Sequence, residues 1–223
     1  MDRGAADYGR MLFDSEMMKS YIIAVFVCLL PLQAFSQTED RDGIIRQINE
    51  YSAGIRSLEC GFVQTRSLKI LDDKMVSEGK MYCQQPDKLR WEYTSPYSSA
   101  FILNGNAVLL KNADGTSGTG AGGNRMYREM AGFILDCISG SYLLDGKSFD
   151  VSVSESPDEW VLMMLPLKNG MKQMWTQLVL HFDRIGKTVS MIEMYEQTGD
   201  MTVISFRNVR LNGDIDPAVF NIE

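Results

Sequence analysis

The stretch from Gly79 to Pro96 constrains the fold most, because it contains two strand-like runs with different faces. Lys80 to Gln84 and Lys88 to Tyr93 are separated by the turn-forming tripeptide Gln85-Pro86-Asp87. The second run alternates charged residues with large apolar or aromatic ones, in the order Lys88, Leu89, Arg90, Trp91, Glu92, Tyr93. Such a strand must place its apolar face against a packed core or against an apolar ligand.

The N-terminal region predicts export. Met18 to Gln37 has one early lysine, a long apolar run and the small residues Ala34 and Ser36, which is the pattern of a secretory signal. We expect cleavage between Ser36 and Gln37, so that residues 1–36 are an N-terminal extension with its signal peptide and residues 37–223 are a single exported domain. The alternative is a retained anchor, but the apolar run is shorter than the roughly 20 residues of a membrane span.

Composition argues against several functions. The net charge is −7 and the chain has no basic run, so nucleic acid is not an expected partner. His181 is the only histidine and no Cys-x-x-Cys pair exists, so no transition-metal site is expected. Cys60 and Cys83 fall on consecutive predicted strands, where a disulfide and two buried free thiols are both open possibilities.

The sequence contains no motif of a catalytic or nucleotide site. It has no Gly-x-Ser-x-Gly elbow, no P-loop and no Gly-x-Gly-x-x-Gly between a strand and a helix. We therefore predict a protein that is not an enzyme and that needs no cofactor.

Hydrophobic periodicity predicts a mainly β fold of the α+β type. Asp40 to Arg56 has helical spacing, and ten runs have strand character. The predicted strands are Glu59–Lys69, Met75–Gln84, Lys88–Tyr93, Ser99–Leu103, Ala107–Lys111, Phe149–Ser154, Glu159–Pro166, Gln177–Phe182, Val189–Glu196 and Met201–Val209. Many strands with few helices favour a large curved antiparallel sheet, or open β-barrel, wrapped over an N-terminal helix and a second helix.

The second helix follows a glycine-rich segment. Asn112 to Asn124 contains five glycines, and Met126 to Ser139 then resumes helical spacing. This arrangement fits a mobile lid whose residues Met130, Phe133 and Ile134 face inward. It fits an ordinary loop and a packed helix equally well.

Strand alternation also predicts one concave apolar wall. Six residues occupy the uncharged face of their strands, namely Phe62, Met81, Leu89, Trp91, Tyr93 and Phe101. We expect this wall to bind an apolar ligand. Filling of the same face by a packed core is the alternative.

Several motifs, in order along the chain, resemble the LolA-like periplasmic lipoprotein carriers of the outer membrane. They are the Phe-x-Gln strand of Leu58–Ser67, the Gly79–Pro96 block, the apolar strand and Asn-Gly turn of Phe101–Asn106, Gly199–Thr202, and Asn212 with Phe220. The resemblance implies an open β-barrel with a helical lid over an apolar cavity. It also implies that this cavity takes the acyl chains of lipoproteins released at the inner membrane and delivers them to the outer membrane.

The resemblance further implies a periplasmic monomer that meets an inner-membrane lipoprotein-release transporter and an outer-membrane acceptor. Family members often have an arginine before the proline of the second block, where it holds the lid. Gln85 occupies that position here and is the expected lid latch, without the arginine charge. A lipid- or lipoprotein-sensing module, or an outer-membrane receptor of the same fold, is the alternative function.

Overall fold

The computed structural model describes residues 41–70, 73–112, 114, 128, 131–132, 134–140 and 146–221. Within these residues, helix α1 is Arg41–Ala53 and helix α2 is Asn169–Met174. Residues 134–139 are also helical. The strands are β1 Ser57–Leu68, β2 Asp73–Gln84, β3 Lys88–Ser95, β4 Ser99–Asn104, β5 Ala107–Lys111, β6 Phe149–Glu155, β7 Glu159–Pro166, β8 Trp175–Asp183, β9 Thr188–Glu196 and β10 Met201–Leu211.

All ten strands form one antiparallel sheet in the order β5-β4-β3-β2-β1-β10-β9-β8-β7-β6. Neighbours in the sheet are neighbours in the chain, except that β1 pairs with β10. Strands β5 and β6 lie at the two edges, and the described residues show no pairing between them. The sheet is therefore open, and the predicted mainly β fold with a large antiparallel sheet is confirmed.

Strand register places the apolar residues of the N-terminal half on one face. Cys60 lies opposite Met81, Met81 opposite Trp91, and Trp91 opposite Phe101. Directly paired residues of antiparallel strands point to the same side. The alternation read from the sequence thus becomes a continuous row across four strands.

Each half of the sheet packs against a different helical element. Ile44, Ile45 and Ile48 of α1 are buried in a cluster with residues of β6, β7 and β8. Ala131 and Leu135 pack instead with the N-terminal half, in a cluster that contains Phe62 and Trp91. The helical stripe of α1 follows the usual spacing of an amphipathic helix, so its burial explains why this segment is helical.

Some predicted element limits are corrected by the structure. Helix α1 ends at Ala53, and Ile55 is buried beyond the helix rather than on its last turn. Helix α2 was not predicted, since its six residues are too few to show a helical period. Phe220 lies in a 3₁₀ turn, Pro217–Phe220.

The predicted signal peptide and its cleavage site lie outside the described residues. The domain division at Ser36 and Gln37 therefore stays a prediction. In the part of the chain that the structure describes, no helix is long and apolar enough to cross a membrane.

Candidate apolar binding site

A cavity of about 340 Å³ lies where the two hydrophobic clusters meet. Its lining combines residues of the sheet with Ser52 of α1 and with Ile134, Cys137 and Ile138 of the helical segment. Most of the lining is aliphatic, aromatic or sulfur-containing. An enclosure of this kind between a sheet and helices is a usual location for a small-molecule site.

Four of the six predicted wall residues line this cavity. They are Met81, Trp91, Tyr93 and Phe101. Phe62 and Leu89 are not among the described lining residues, and both are buried, with 2 % and 0 % of their surface exposed. The assignment of any of the six to ligand binding stays a prediction.

Gly79 explains why Phe62 lies beneath the wall. Phe62 and Tyr93 are the two cross-strand neighbours of Gly79, which has no side chain to separate them. The Phe62 ring occupies that space, where a Cβ on residue 79 would lie 2.7 Å from its Cε1 atom. The ring centroid of Phe62 is then 4.3 Å from that of Trp91 and 5.4 Å from that of Tyr93. Phe62 therefore supports the aromatic wall from below.

Leu89 lies further along the same face, away from the cavity. It pairs with Cys83 on one side and with Leu103 on the other. These residues belong to the buried cluster with Leu58 and Val108. Leu89 is thus part of the packed floor of the N-terminal half.

Sequence reasoning missed the half of the wall that the C-terminal strands contribute. Its main residues are Ile192 and Met194 of β9 and Ile204 and Phe206 of β10. Both faces of these strands carry apolar residues, so alternation does not mark one face as the inner one. The acidic Glu193, which lies between two lining residues, was the available signal for the outward direction.

The helical segment contributes Ile134 to the cavity lining. The two other predicted lid residues, Met130 and Phe133, lie outside the described residues. The Nε2 of Gln85 donates a hydrogen bond of 3.3 Å to the backbone carbonyl oxygen of Leu135 in this segment. Gln85 thus contacts the helix that it is predicted to hold, and its role as a latch stays a prediction.

A small polar group interrupts the apolar wall. The Tyr93 hydroxyl donates a hydrogen bond of 3.0 Å to Oε1 of Gln64, and both residues line the cavity. Burial raises the pKa of Tyr93, and the nearby Trp91 and Gln64 side chains partly oppose that rise. The Nε1 of Trp91 is buried without a hydrogen-bond partner among the described residues.

Cys60 and Cys83 are buried free thiols in this structure. The register places Cys60 opposite Met81 and Cys83 opposite Leu58, so the two cysteines are diagonal neighbours. Burial raises the pKa of each thiol from 9.0 to about 12, with a smaller contribution to Cys60 from Cys83. Both thiols are therefore protonated and unreactive at neutral pH.

The described residues contain no group of three histidine, cysteine or acidic side chains arranged for a metal ion. His181 lies between two carboxylates instead, with its Nδ1 3.1 Å from Glu159 and its Nε2 3.1 Å from Glu193. It follows the buried Leu180 and pairs with Val161 and Met191, so it lies on the face of the sheet opposite the cavity.

Known proteins resemble this chain over most of its length. An outer-membrane lipoprotein carrier protein of Methylococcus capsulatus is 23% identical over 175 residues, covering 78% of this chain and 80% of the relative. The corresponding protein of Chromohalobacter salexigens is 25% identical over 201 residues, covering 87% of both chains. A crystal structure of a LolA superfamily protein from Nitrosomonas europaea has a TM-score of 0.41 and 9% identity, covering 81% of this chain and 97% of the other.

The family model described as outer membrane lipoprotein carrier protein LolA matches residues 53–223. This match includes all ten strands of the sheet and the lining residues Ile134, Cys137 and Ile138 of the helical segment. The predicted family resemblance is thereby confirmed, and the chain belongs to the LolA family of outer-membrane lipoprotein carrier proteins.

Proposed function

We propose that this protein is a non-enzymatic carrier that binds lipoprotein acyl chains in the cavity and moves them through the periplasm from the inner to the outer membrane. The observation that carries this proposal is the apolar cavity between the sheet and the helical segment. Membership of a carrier family and relatives described as outer-membrane lipoprotein carriers support it.

The energetic need for such a carrier is simple. Exposure of an acyl chain to water costs about 0.8 kcal/mol for each CH₂ group. A protein that moves the acyl chain through an aqueous compartment must therefore bury most of the chain against apolar surface of its own. Lining residues such as Trp91, Phe101 and Ile192 supply apolar surface for this purpose. The cavity volume of about 340 Å³ is at the lower end of ligand sites, so larger cargo requires the helix and sheet to separate.

Release of the cargo requires that the helical segment be held only weakly over the cavity. The described contact between Gln85 and Leu135 is one neutral hydrogen bond. Such a bond contributes only about 0.5–1.5 kcal/mol, so the free energy needed to break it does not prevent the helical segment from opening. In this proposal the hydrogen bond from Gln85 keeps the helical segment over the bound cargo, and it breaks when an acceptor takes the acyl chains.

The proposed location follows from the predicted signal peptide before Gln37. Inside the periplasm, a monomer would take cargo from an inner-membrane release transporter and pass it to an outer-membrane acceptor. Both partners are expected from the family and belong to the proposal.

A fluorescent fatty-acid probe tests the cavity directly. We expect the parent protein to bind the probe and Ile134→Glu to bind it at least tenfold more weakly, because a carboxylate in an apolar cavity is strongly disfavoured. Ile185→Glu is the matched control, since Ile185 is 81 % exposed and is not among the described cavity-lining residues. Equal binding by a folded Ile134→Glu protein, or no binding by the parent, would contradict the proposal.

A further inference from the structure

Gln64 and Tyr93 belong to strands that are not adjacent. Gln64 is on β1 and Tyr93 is on β3, and β2 lies between them. The residues of β2 at this level are Ser77, opposite Gln64, and Gly79, opposite Tyr93. Because both are small, the tyrosine side chain reaches over β2 and its hydroxyl meets the glutamine amide at 3.0 Å. We call these two residues the Gln64–Tyr93 pair.

The Gln64–Tyr93 pair keeps a hydrogen available for another acceptor. With the hydroxyl donating to Oε1, the Nε2 amide of Gln64 has no hydrogen-bond partner among the described residues. If the amide is turned over, Nε2 donates to the phenol oxygen and the hydroxyl hydrogen is released instead. In both orientations the pair offers a donor from a residue that lines the cavity.

A second donor lies in the same part of the wall. The indole Nε1 of Trp91 is buried and unpartnered among the residues described, although the Trp91 side chain lines the cavity. Trp91 and Tyr93 are next-but-one residues of β3, with ring centroids 6.5 Å apart. This nitrogen is buried from the cavity, and the Trp91 side chain lies close enough to the Tyr93 hydroxyl to lower its pKa, so the indole acts on Tyr93 and does not itself reach a ligand.

The available groups favour a neutral acceptor. The Gln64–Tyr93 pair has no formal charge. The guanidinium of Arg66, two residues further along β1, already contacts carboxylate oxygens of Glu196 at 3.2 Å and of Asp200 at 3.4 Å. Lys111 of β5 also lines the cavity, and it already has an interaction of its own. A carboxylate buried beside Gln64 would thus have to compete for a cation that is already engaged, whereas an ester or amide carbonyl requires only a hydrogen-bond donor.

We propose that the Gln64–Tyr93 pair is a polar anchor that binds the ester or amide carbonyl oxygen at the head of an acyl chain, while the apolar wall holds the chain itself. This inference rests on the proposed function and adds to it a preference for one class of ligand. The site selects acylated molecules over other apolar compounds of equal length, because a hydrogen-bonding site discriminates against a ligand that leaves its polar groups unpaired.

Two matched ligands test the anchor. Ethyl dodecanoate and dodecyl ethyl ether differ only by the replacement of the carbonyl group with a methylene group. Displacement of a fluorescent fatty-acid probe gives the affinity for each, and the ratio of the two affinities is the readout. We expect the parent protein to prefer the ester by about three- to tenfold, the value of one neutral hydrogen bond.

The variants Gln64→Met and Tyr93→Phe keep the side-chain size and remove the polar atoms. Each single variant leaves one donor of the pair, so we expect it to reduce the ester preference only in part, whereas the double variant should bring the preference to about one. Gln177→Met is the matched control because Gln177 follows the outward strand pattern of β8 and is not among the described lining residues. Since a partly unfolded variant loses affinity for both ligands, the ratio separates loss of the anchor from loss of the fold.

The outcomes separate the inference from the proposed function. Equal affinity of the parent for ester and ether, or an unchanged preference in the double variant Gln64→Met/Tyr93→Phe, overturns the anchor and leaves the carrier proposal intact. Tighter binding of dodecanoate than of the ester, with the same dependence on Gln64, overturns the assignment of a neutral carbonyl. Failure of the parent to bind the ester, the ether and the probe contradicts the proposed function, and the anchor with it.

Discussion

The side-chain amide of Gln85 donates a hydrogen bond of 3.3 Å to the backbone carbonyl oxygen of Leu135. This contact joins the end of β2 to the helical segment that contributes Ile134, Cys137 and Ile138 to the cavity. A side chain directly after β2 thus contacts a backbone atom of the helix, so the contact depends on the position of the helix and not on which side chains it carries.

Replacement of Gln85 by arginine should strengthen this contact. A charge-assisted hydrogen bond is about twice as strong as a neutral one. We expect Gln85→Arg to slow dissociation of a fluorescent acyl probe about fivefold, measured by stopped-flow displacement. Gln47→Arg on the exposed side of α1 adds the same charge elsewhere and should leave the rate unchanged. Identical dissociation rates in the two variants would show that Gln85 does not hold the helix.

Gly79→Ala should destabilise the fold. The added Cβ would meet the Phe62 ring and the backbone oxygen of Glu92 in a space that Phe62 already fills. We expect a loss of about 2–4 kcal/mol in the free energy of unfolding, measured with urea.

Gly61→Ala is the control for this substitution, because its Cβ would lie at ordinary contact distances of 3.7 Å and 3.8 Å from neighbouring carbonyl oxygens. It should change stability by less than about 1 kcal/mol. Comparable losses of stability in Gly61→Ala and Gly79→Ala would contradict the conclusion that the Phe62 ring fills the space beside Gly79.

Gly140 fixes the approach of the helical segment to α1. Its φ is +73°, and a Cβ there would lie 2.5 Å from Oδ1 of Asn49 and 3.1 Å from Cβ of Ser52. Gly140→Ala should therefore cost about 1–3 kcal/mol. Gly132→Ala in the same helical region meets nothing within 4 Å and should instead stabilise the protein by about 0.5–1 kcal/mol. Thermal unfolding of both variants gives the sign of each stability change. Changes of the same sign would contradict the close packing of Gly140 against α1.

The buried thiols predict a loss of stability at high pH. Burial raises the pKa of Cys60 and Cys83 to about 12 in the folded protein, above the value of 9.0 for an exposed thiol. Their stabilising contribution is complete below pH 9 and disappears as the pH rises toward 12. Each thiol should lower the free energy of unfolding by about 1.4 kcal/mol per pH unit above pH 9.

Urea unfolding at several pH values between 7 and 10 measures this slope. Cys83→Ala should give a shallower slope than the parent, whatever its stability at pH 7. An unchanged slope would mean that Cys83 does not titrate on unfolding.

The sequence predicted the ten strands and the apolar side of the N-terminal half, because charged residues mark the outer face of β3 clearly. It did not separate Trp91, which lines the cavity, from Phe62, which lies below it, or from Leu89, which lies further along the same face. Alternation reports the face of a strand, whereas depth depends on neighbours such as Gly79 that are known only from the register. The cavity residues of β9 and β10 were missed because both faces of those strands are apolar.

The contact between Gln64 and Tyr93 illustrates a second limit of sequence analysis. The two residues are 29 positions apart and meet across an intervening strand. Each residue was visible as part of a strand pattern, and the hydrogen bond between them required the registers of β1, β2 and β3 together. Short elements such as α2 have too few residues for a periodic signal.

Isolation of the protein with its natural cargo tests the central claim most directly. The full-length chain should be expressed in a Gram-negative host, purified from the periplasmic fraction without detergent, and subjected to mass spectrometry for bound acyl groups, with Ile134→Glu purified in parallel. The proposal predicts peptides with acylated N-terminal cysteines bound to the parent, and much less on Ile134→Glu. A parent protein that carries no acylated molecule, or that carries the same amount as Ile134→Glu, would contradict the claim that this cavity transports lipoprotein acyl chains.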